Sequence, residues 1–169
     1  MTRLDGERIY LRPMTEADAT PLYASWLNDP EVNKYLATKS ATVEELREYV
    51  ADKNAKDDAL LLGIFLKDGD RHVGTSKLEP LEKEKATIGV LIGEKSEWGK
   101  GYAGEAMRLL IDYCFKDLGL VEVTLGVLAQ NEAAIKAYEK LGFKETGRQV
   151  GAVHYPNGVF DQVTMVLKK

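Results

Sequence analysis

The spacing of apolar residues predicts mostly strands in the first half of the chain and alternating helices and strands in the second. Residues 60–66 form a nearly continuous apolar run, and the Asp-Gly pair that follows it predicts a hairpin. Residues 103–118 carry apolar positions at helical spacing, which predicts a helix closed by Gly119. The predicted strands are residues 8–13, 60–66, 71–81, 86–93, 121–127, 143–150 and 159–167.

Capping residues predict where the other helices begin. Thr15, with Asp18 three residues later, predicts the start of the first helix, which Asn28-Asp29-Pro30 ends. Thr42 and Glu45 form a capping box for a second helix, and Asn131 is the N-cap of a short helix that Gly142 ends. We find no repeat or linker, so we expect one α/β (mixed α+β) domain over residues 1–169.

Composition excludes several classes of function. A net charge of -4 argues against nucleic-acid binding, which requires a basic excess. The single cysteine, Cys114, cannot form an intrachain disulfide or a cysteine-rich zinc site, and we expect it in the core and no metal. No apolar run approaches 18 residues and residues 1–20 carry charges throughout, so we expect no membrane segment, no signal peptide and a cytoplasmic location.

The loop at residues 99–104 matches the pattern G-x-G-x-x-G, which has three interpretations. A dinucleotide site requires the loop to follow its strand directly, but residues 94–98 intervene, and Glu122 lies near the start of the next strand rather than its end. A nucleotide-triphosphate loop requires Ser or Thr after Lys100, where Gly101 stands. A plain turn remains open. Free N–H groups at a helix N-terminus next to glycines instead predict a site for a phosphate-bearing ligand.

The same loop resembles that of the GNAT acetyltransferase superfamily, in particular the group similar to ribosomal-protein N-terminal acetyltransferases. Gly101 and Ala103 occupy two required positions of the loop motif. Trp98 stands where Arg or Gln is usual, and Gly104 replaces a frequent Thr or Ser. Residues 26–32, residues 131–143 and the order of the predicted elements agree with the family over essentially the whole chain.

The resemblance implies a mixed, mostly antiparallel sheet splayed around a coenzyme A site, with acetyl-CoA as co-substrate. The backbone of Leu91, Ile92 and Gly93 would then pair with the pantetheine arm, which Asn131 would also contact. The pyrophosphate would be held by the loop residues Trp98, Gly99, Lys100, Gly101, Tyr102, Ala103 and Gly104.

The resemblance also implies catalytic roles. Tyr138 would give a proton to the departing thiolate, and the backbone N–H near Leu91 would stabilise the oxyanion. Periodicity alone instead favours Tyr138 as an aromatic packing residue on a short helix. Thr87 stands where many relatives carry a glutamate base, and it cannot serve as one. The substitutes are Glu79, Glu31 and His154, while His72 is a weaker candidate.

The function implied is transfer of an acetyl group from acetyl-CoA to a primary amine by direct attack in a ternary complex. The acceptor is a small-molecule amine or a protein N-terminus, and a homodimer is an option. The alternative is an acyl-CoA-binding sensor of the same fold, which Thr87 favours slightly and Tyr138 disfavours.

Overall fold

The computed structural model describes residues 3–169. The strands are β1 (Leu4–Asp5), β2 (Ile9–Pro13), β3 (Leu60–Leu66), β4 (Arg71–Leu81), β5 (Lys85–Ile92), β6 (Glu122–Leu128), β7 (Lys144–Tyr155) and β8 (Gly158–Lys168). The helices are α1 (Pro21–Leu27), α2 (Val43–Asn54), α3 (Tyr102–Asp112) and α4 (Glu132–Lys140).

The eight strands form one sheet in the order β1-β2-β3-β4-β5-β6-β8-β7. Every neighbouring pair is antiparallel except β5 and β6, which run parallel. The predicted mixed and mostly antiparallel sheet is therefore confirmed. No helix in residues 3–169 is long and apolar enough to span a membrane.

The sheet separates two apolar clusters. Consecutive residues of β3 show this division, because Leu62 packs in the cluster that contains Leu110 of α3, whereas Leu61 packs in the cluster that contains Tyr23 and Leu46 of α1 and α2. Successive side chains of a strand point to opposite faces, so α3 covers one face and α1 and α2 cover the other. The α3 cluster also includes the buried Cys114, where burial raises the pKa of the thiol to about 11.

The start of the first helix differs from the prediction. Thr15 precedes a 3-10 turn at Glu16–Asp18, with its N–H bonded to Asp18 Oδ2 at 2.8 Å. Helix α1 begins later at Pro21, and the hydroxyl of Thr20 accepts from Tyr23 N–H at 3.2 Å. Proline suits the first helical position because it has no N–H to satisfy, and it keeps the preceding residue out of the helical region.

Other boundaries shift by a few residues. The closing hairpin is longer than predicted, since β7 extends to Tyr155 and only Pro156-Asn157 separate it from β8. Strand β1 has two residues and left no pattern in the sequence. Gly119 ends the α3 region with φ 68°, as predicted, after a wider helical turn at Tyr113–Asp117.

The indole of Trp26 anchors α1 to the end of β5. It packs so closely on Gly93 that a Cβ at Gly93 would lie 2.3 Å from the ring. The imidazole of His72 completes the contact, with its centroid 4.9 Å from that of Trp26. Gly93 is thus required by packing.

The carboxylate of Glu79 ties α2 to β4. It accepts from Lys53 Nζ at 2.6 Å and from Lys56 Nζ at 2.5 Å, and Lys77 Nζ lies 3.2 Å away. The hydrogen bonds from Lys53 and Lys56 lower the pKa of Glu79 to about 2.

This network predicts a pH-dependent contribution to stability. Because the pKa of Glu79 is lower in the folded than in the unfolded chain, its stabilisation is complete above an unfolded pKa of about 4.3 and is lost as the pH falls toward 2. We expect Glu79→Gln to lower the Tm at pH 7, with a difference from wild type that shrinks between about pH 5 and 2. The exposed Glu84→Gln is the control and should leave the Tm unchanged. A Tm difference independent of pH would contradict this account.

Candidate active site

The parallel strands β5 and β6 pair over only three positions. Their ladder runs from Lys85 opposite Glu122 to Thr87 opposite Thr124, and there the strands diverge. At this last pair the hydroxyls of Thr87 and Thr124 are 3.0 Å apart and hydrogen-bonded. We call the space beyond them, between residues 88–92 and 125–128, the fork. Residues 88–91 and 125–128 line a cleft of about 610 Å³.

The backbone of β5 alternates between its two neighbours. Glu84 C=O accepts from Val121 N–H at 2.8 Å on the β6 side, and Gly93 N–H donates to Val73 C=O at 2.9 Å on the β4 side. β5 carries no bulge between these points, so the amide groups of Val90 and Ile92 face β6 and those of Leu91 face β4. Of the three residues predicted to pair with a ligand through the backbone, only Ile92 turns its N–H into the fork, because Leu91 pairs with Thr75 and Gly93 with Val73.

Two predicted side chains reach the cleft from α4. Asn131 is the N-cap of that helix, and its Oδ1 accepts from Ala134 N–H at 3.3 Å. The ring of Tyr138 meets that of Phe143 edge-on, with centroids 6.1 Å apart, and burial raises the pKa of the phenol. Leu91, Asn131 and Tyr138 all line the cleft, so these three predicted site residues lie together.

The glycine loop lies where β5 leads into α3. Gly101 is the N-cap of α3 with φ 86°, and Gly99 has φ 76°, a left-handed region that favours glycine. The first helical hydrogen bond runs from Glu105 N–H to Gly101 C=O at 3.1 Å. The N–H groups of Tyr102, Ala103 and Gly104 therefore have no partner in the helix and can bind an anion.

The side chains of the loop are engaged elsewhere. Trp98 Nε1 donates to Ile92 C=O at 2.7 Å, and Lys100 Nζ donates to Glu97 at 2.9 Å. The guanidinium of Arg8 lies 4.6 Å from the centroid of Tyr102 and donates to Lys100 C=O at 2.7 Å. Lys100 and Tyr102 border a separate depression with Arg8, outside the cleft. An anion at this loop would thus be bound mainly by backbone N–H groups.

None of the residues considered as a general base lines the cleft. His154 is exposed, and so is Glu31. The pKa of Glu79 is about 2, which makes it a weak base. His72 is enclosed by Tyr23, Trp26 and Phe65, and burial lowers its pKa.

Several cleft residues were missed by sequence reasoning. On β8, the amide of Gln162 lies over Gly126, where a Cβ would be 2.3 Å from its Nε2. On β4, Lys77 lines the cleft, and the one carboxylate lining it is that of Glu45, which accepts from Thr42 N–H at 3.1 Å. Alternation along β4 and β8 places Lys77 and Gln162 on one face of the sheet. Only the position of the cleft identifies them as candidate site residues.

Comparison with known proteins decides the family. The family described as acetyltransferase (GNAT) domain matches residues 8–144. The chain belongs to the GNAT acetyltransferase family. An uncharacterized N-acetyltransferase of Bacillus licheniformis, p20, is 33% identical to this chain over 153 residues, which cover 87% of this chain and 85% of p20.

Solved structures share the GNAT fold. A GNAT-family acetyltransferase from Bacillus anthracis has a TM-score of 0.86 at 20% identity, covering 99% of this chain and 98% of its own. Spermidine N-acetyltransferase from Vibrio cholerae, in complex with CoA and spermine, has a TM-score of 0.86 at 21% identity, covering 95% of each chain.

The loop geometry yields a prediction for co-substrate binding. Gly101→Val places a β-branched residue at φ 86°, at a cost of about 1–2 kcal/mol, and reorients the free N–H groups of α3. We expect the affinity for acetyl-CoA, measured by calorimetry, to fall about tenfold or more.

Gly119→Val is the matched control, because Gly119 has φ 68° but caps the other end of the α3 region. It should lower the Tm without weakening acetyl-CoA binding. Equal affinities of Gly101→Val and wild type would show that the loop does not bind the co-substrate.

Proposed function

We propose that the protein is an N-acetyltransferase that transfers the acetyl group of acetyl-CoA to a primary amine by direct attack in a ternary complex. The observation that carries the proposal is the fork, which leaves the amide groups of Val90 and the N–H of Ile92 without a β6 partner beside a cleft that contains Tyr138. An extended ligand with amide groups of its own satisfies such a strand edge.

In this proposal the pantetheine arm of the co-substrate lies in the fork and pairs with Val90 and Ile92. Asn131 contacts the arm from α4, and the N–H groups of residues 102–104 bind the pyrophosphate. The N–H of Val90 takes the oxyanion role that the sequence suggested for Leu91, because the amide of Leu91 belongs to the β4 ladder.

Acyl transfer to an amine makes three chemical demands. The amine must be neutral to attack, the tetrahedral oxyanion needs a hydrogen-bond donor, and the departing thiolate needs a proton. Burial raises the pKa of Tyr138, so its phenol is protonated at neutral pH and can donate as the thiolate forms. Tyr138 is accordingly the proposed general acid.

The remaining proton is on the acceptor amine. Thr87 is hydrogen-bonded to Thr124, and none of Glu31, Glu79, His72 and His154 lines the cleft. The carboxylate of Glu45, which does line it, caps α2 through Thr42 N–H. We propose that the amine loses its proton to solvent before it attacks. The acceptor is a small-molecule amine or a protein N-terminal amine.

The reaction is tested by release of free thiol from acetyl-CoA over a panel of amines. We expect turnover with at least one amine, and a kcat/KM that rises with pH up to the pKa of that amine, because only its neutral form reacts. Binding of acetyl-CoA with no turnover for any amine would contradict the proposal and would instead indicate a sensor.

The role of Tyr138 is tested by removal of its hydroxyl. Tyr138→Phe keeps the ring against Phe143, so the free energy of unfolding should change by no more than about 1 kcal/mol. The kcat should fall about 100-fold or more, while the KM for acetyl-CoA barely changes.

Tyr113→Phe, outside the cleft, is the control and should retain the wild-type kcat. A substrate thioester with a more acidic leaving thiol should partly restore Tyr138→Phe. If Tyr138→Phe turns over as fast as wild type, Tyr138 is a packing residue.

A further inference from the structure

One side of the cleft is formed by the sheet face that carries α1 and α2. On this face Lys77 of β4 lies opposite Gly89 of β5 in the register, and both residues line the cleft. A Cβ at Gly89 would meet no atom within 4 Å, so the space above this glycine is open. Lys77 therefore borders an open part of the cleft one strand away from the fork.

The charges around Lys77 favour an anion. Lys53, Lys56 and Lys77 share the carboxylate of Glu79, and the carboxylate of Asp58 also acts on Lys56. Three positive charges against two negative ones leave a local excess of one positive charge. The one carboxylate that lines the cleft, on Glu45, is exposed and accepts from Thr42 N–H. This excess of positive charge attracts an anionic group of the acceptor and repels a second cationic group on it.

Tyrosine rings form part of the cleft wall, beside polar lining residues such as Ser40 and Thr75. Tyr23 of α1 is 3% exposed, and Tyr49 of α2 lies beside it in the lining. Tyr155 at the end of β7 forms another wall of the cleft, and Lys39 Nζ lies over its ring, 4.6 Å from the centroid. Such walls suit an apolar or aromatic group.

From these observations we infer that the acceptor is an amino-acid-type amine, whose carboxylate pairs with Lys77 and whose apolar side chain packs among the tyrosines. Lys77 lies on the strand next to β5, so an acceptor whose carboxylate pairs with Lys77 can direct its amine toward the fork. This inference rests on the proposed N-acetyltransferase function and narrows its acceptor.

Matched acceptors test the inference. L-phenylalanine carries the carboxylate, 2-phenylethylamine lacks it, and L-phenylalaninamide replaces it by a neutral amide. We expect wild type to acetylate L-phenylalanine with a kcat/KM at least about tenfold higher than either neutral amine, through a lower KM, and this ratio to fall as salt is added.

Variants at Lys77 locate the effect. Lys77→Met should reduce the ratio to near one, whereas Lys77→Arg should preserve it. Lys56→Met removes a charge from the same network outside the cleft and should keep the ratio well above one. The Tm and the affinity for acetyl-CoA of each variant establish that it is folded.

Two results would overturn the inference while the proposed function stands: equal kcat/KM values of wild type for the three amines, or a ratio that Lys77→Met leaves intact. If Lys77→Met does not fold, the ratio of kcat/KM values measured for wild type still tests the inference. Absence of transfer to every amine of a wider panel, whether or not acetyl-CoA binds, would overturn the proposed function itself.

Discussion

The structure depends on the point at which β5 and β6 stop pairing. A strand that ends its ladder inside a protein leaves peptide groups that cost free energy unless something binds them. Here the interruption comes after Thr87 and Thr124, whose hydroxyls join the strands at their last shared position. The cleft, the unpaired amides of β5 and the access of Tyr138 to them all follow from that divergence.

The two faces of the sheet carry different parts of the candidate site. Helix α3, with its glycine-bearing N-terminus, packs on the same cluster as Tyr138 of α4, and α1 and α2 pack on the opposite face with Leu91. At the fork, the cleft is open to both faces of the sheet. In the proposed reaction, a co-substrate and an acceptor would approach the same atoms from opposite sides of the sheet, as direct transfer in a ternary complex requires.

The regular elements could largely be predicted from sequence because their signals are local. Apolar periodicity identified β3 and α3, and Asn131 marked the start of α4 within one residue. The start of α1 was wrong because Thr15 and Thr20 are both acceptable caps, and Pro21 selects the second.

The details of the site depend on contacts that are distant in sequence. The register of β5 against β4 and β6 decides which of these strands the amide of Leu91 faces. The pattern of side chains along the sequence does not reveal this choice. The environment of Lys77 likewise needs α2 to be placed beside β4, since Lys53 and Glu79 are 26 residues apart. The glycine loop predicted a phosphate site on its own, and the family resemblance supplied the ligand and the role of Tyr138. The charge distribution around Lys77 had to come from the fold.

The carboxylate of Glu105 connects the start of α3 with the beginning of the chain. It accepts from the backbone N–H groups of Arg8 at 2.9 Å and Ile9 at 3.0 Å, and from Arg8 Nε at 3.0 Å. The amides of Arg8, just before β2, and of Ile9, its first residue, are thus bonded to a side chain nearly 100 residues away rather than to a neighbouring strand. Their rate of hydrogen exchange with solvent consequently reports how firmly the first turn of α3 is docked, from a position remote in sequence.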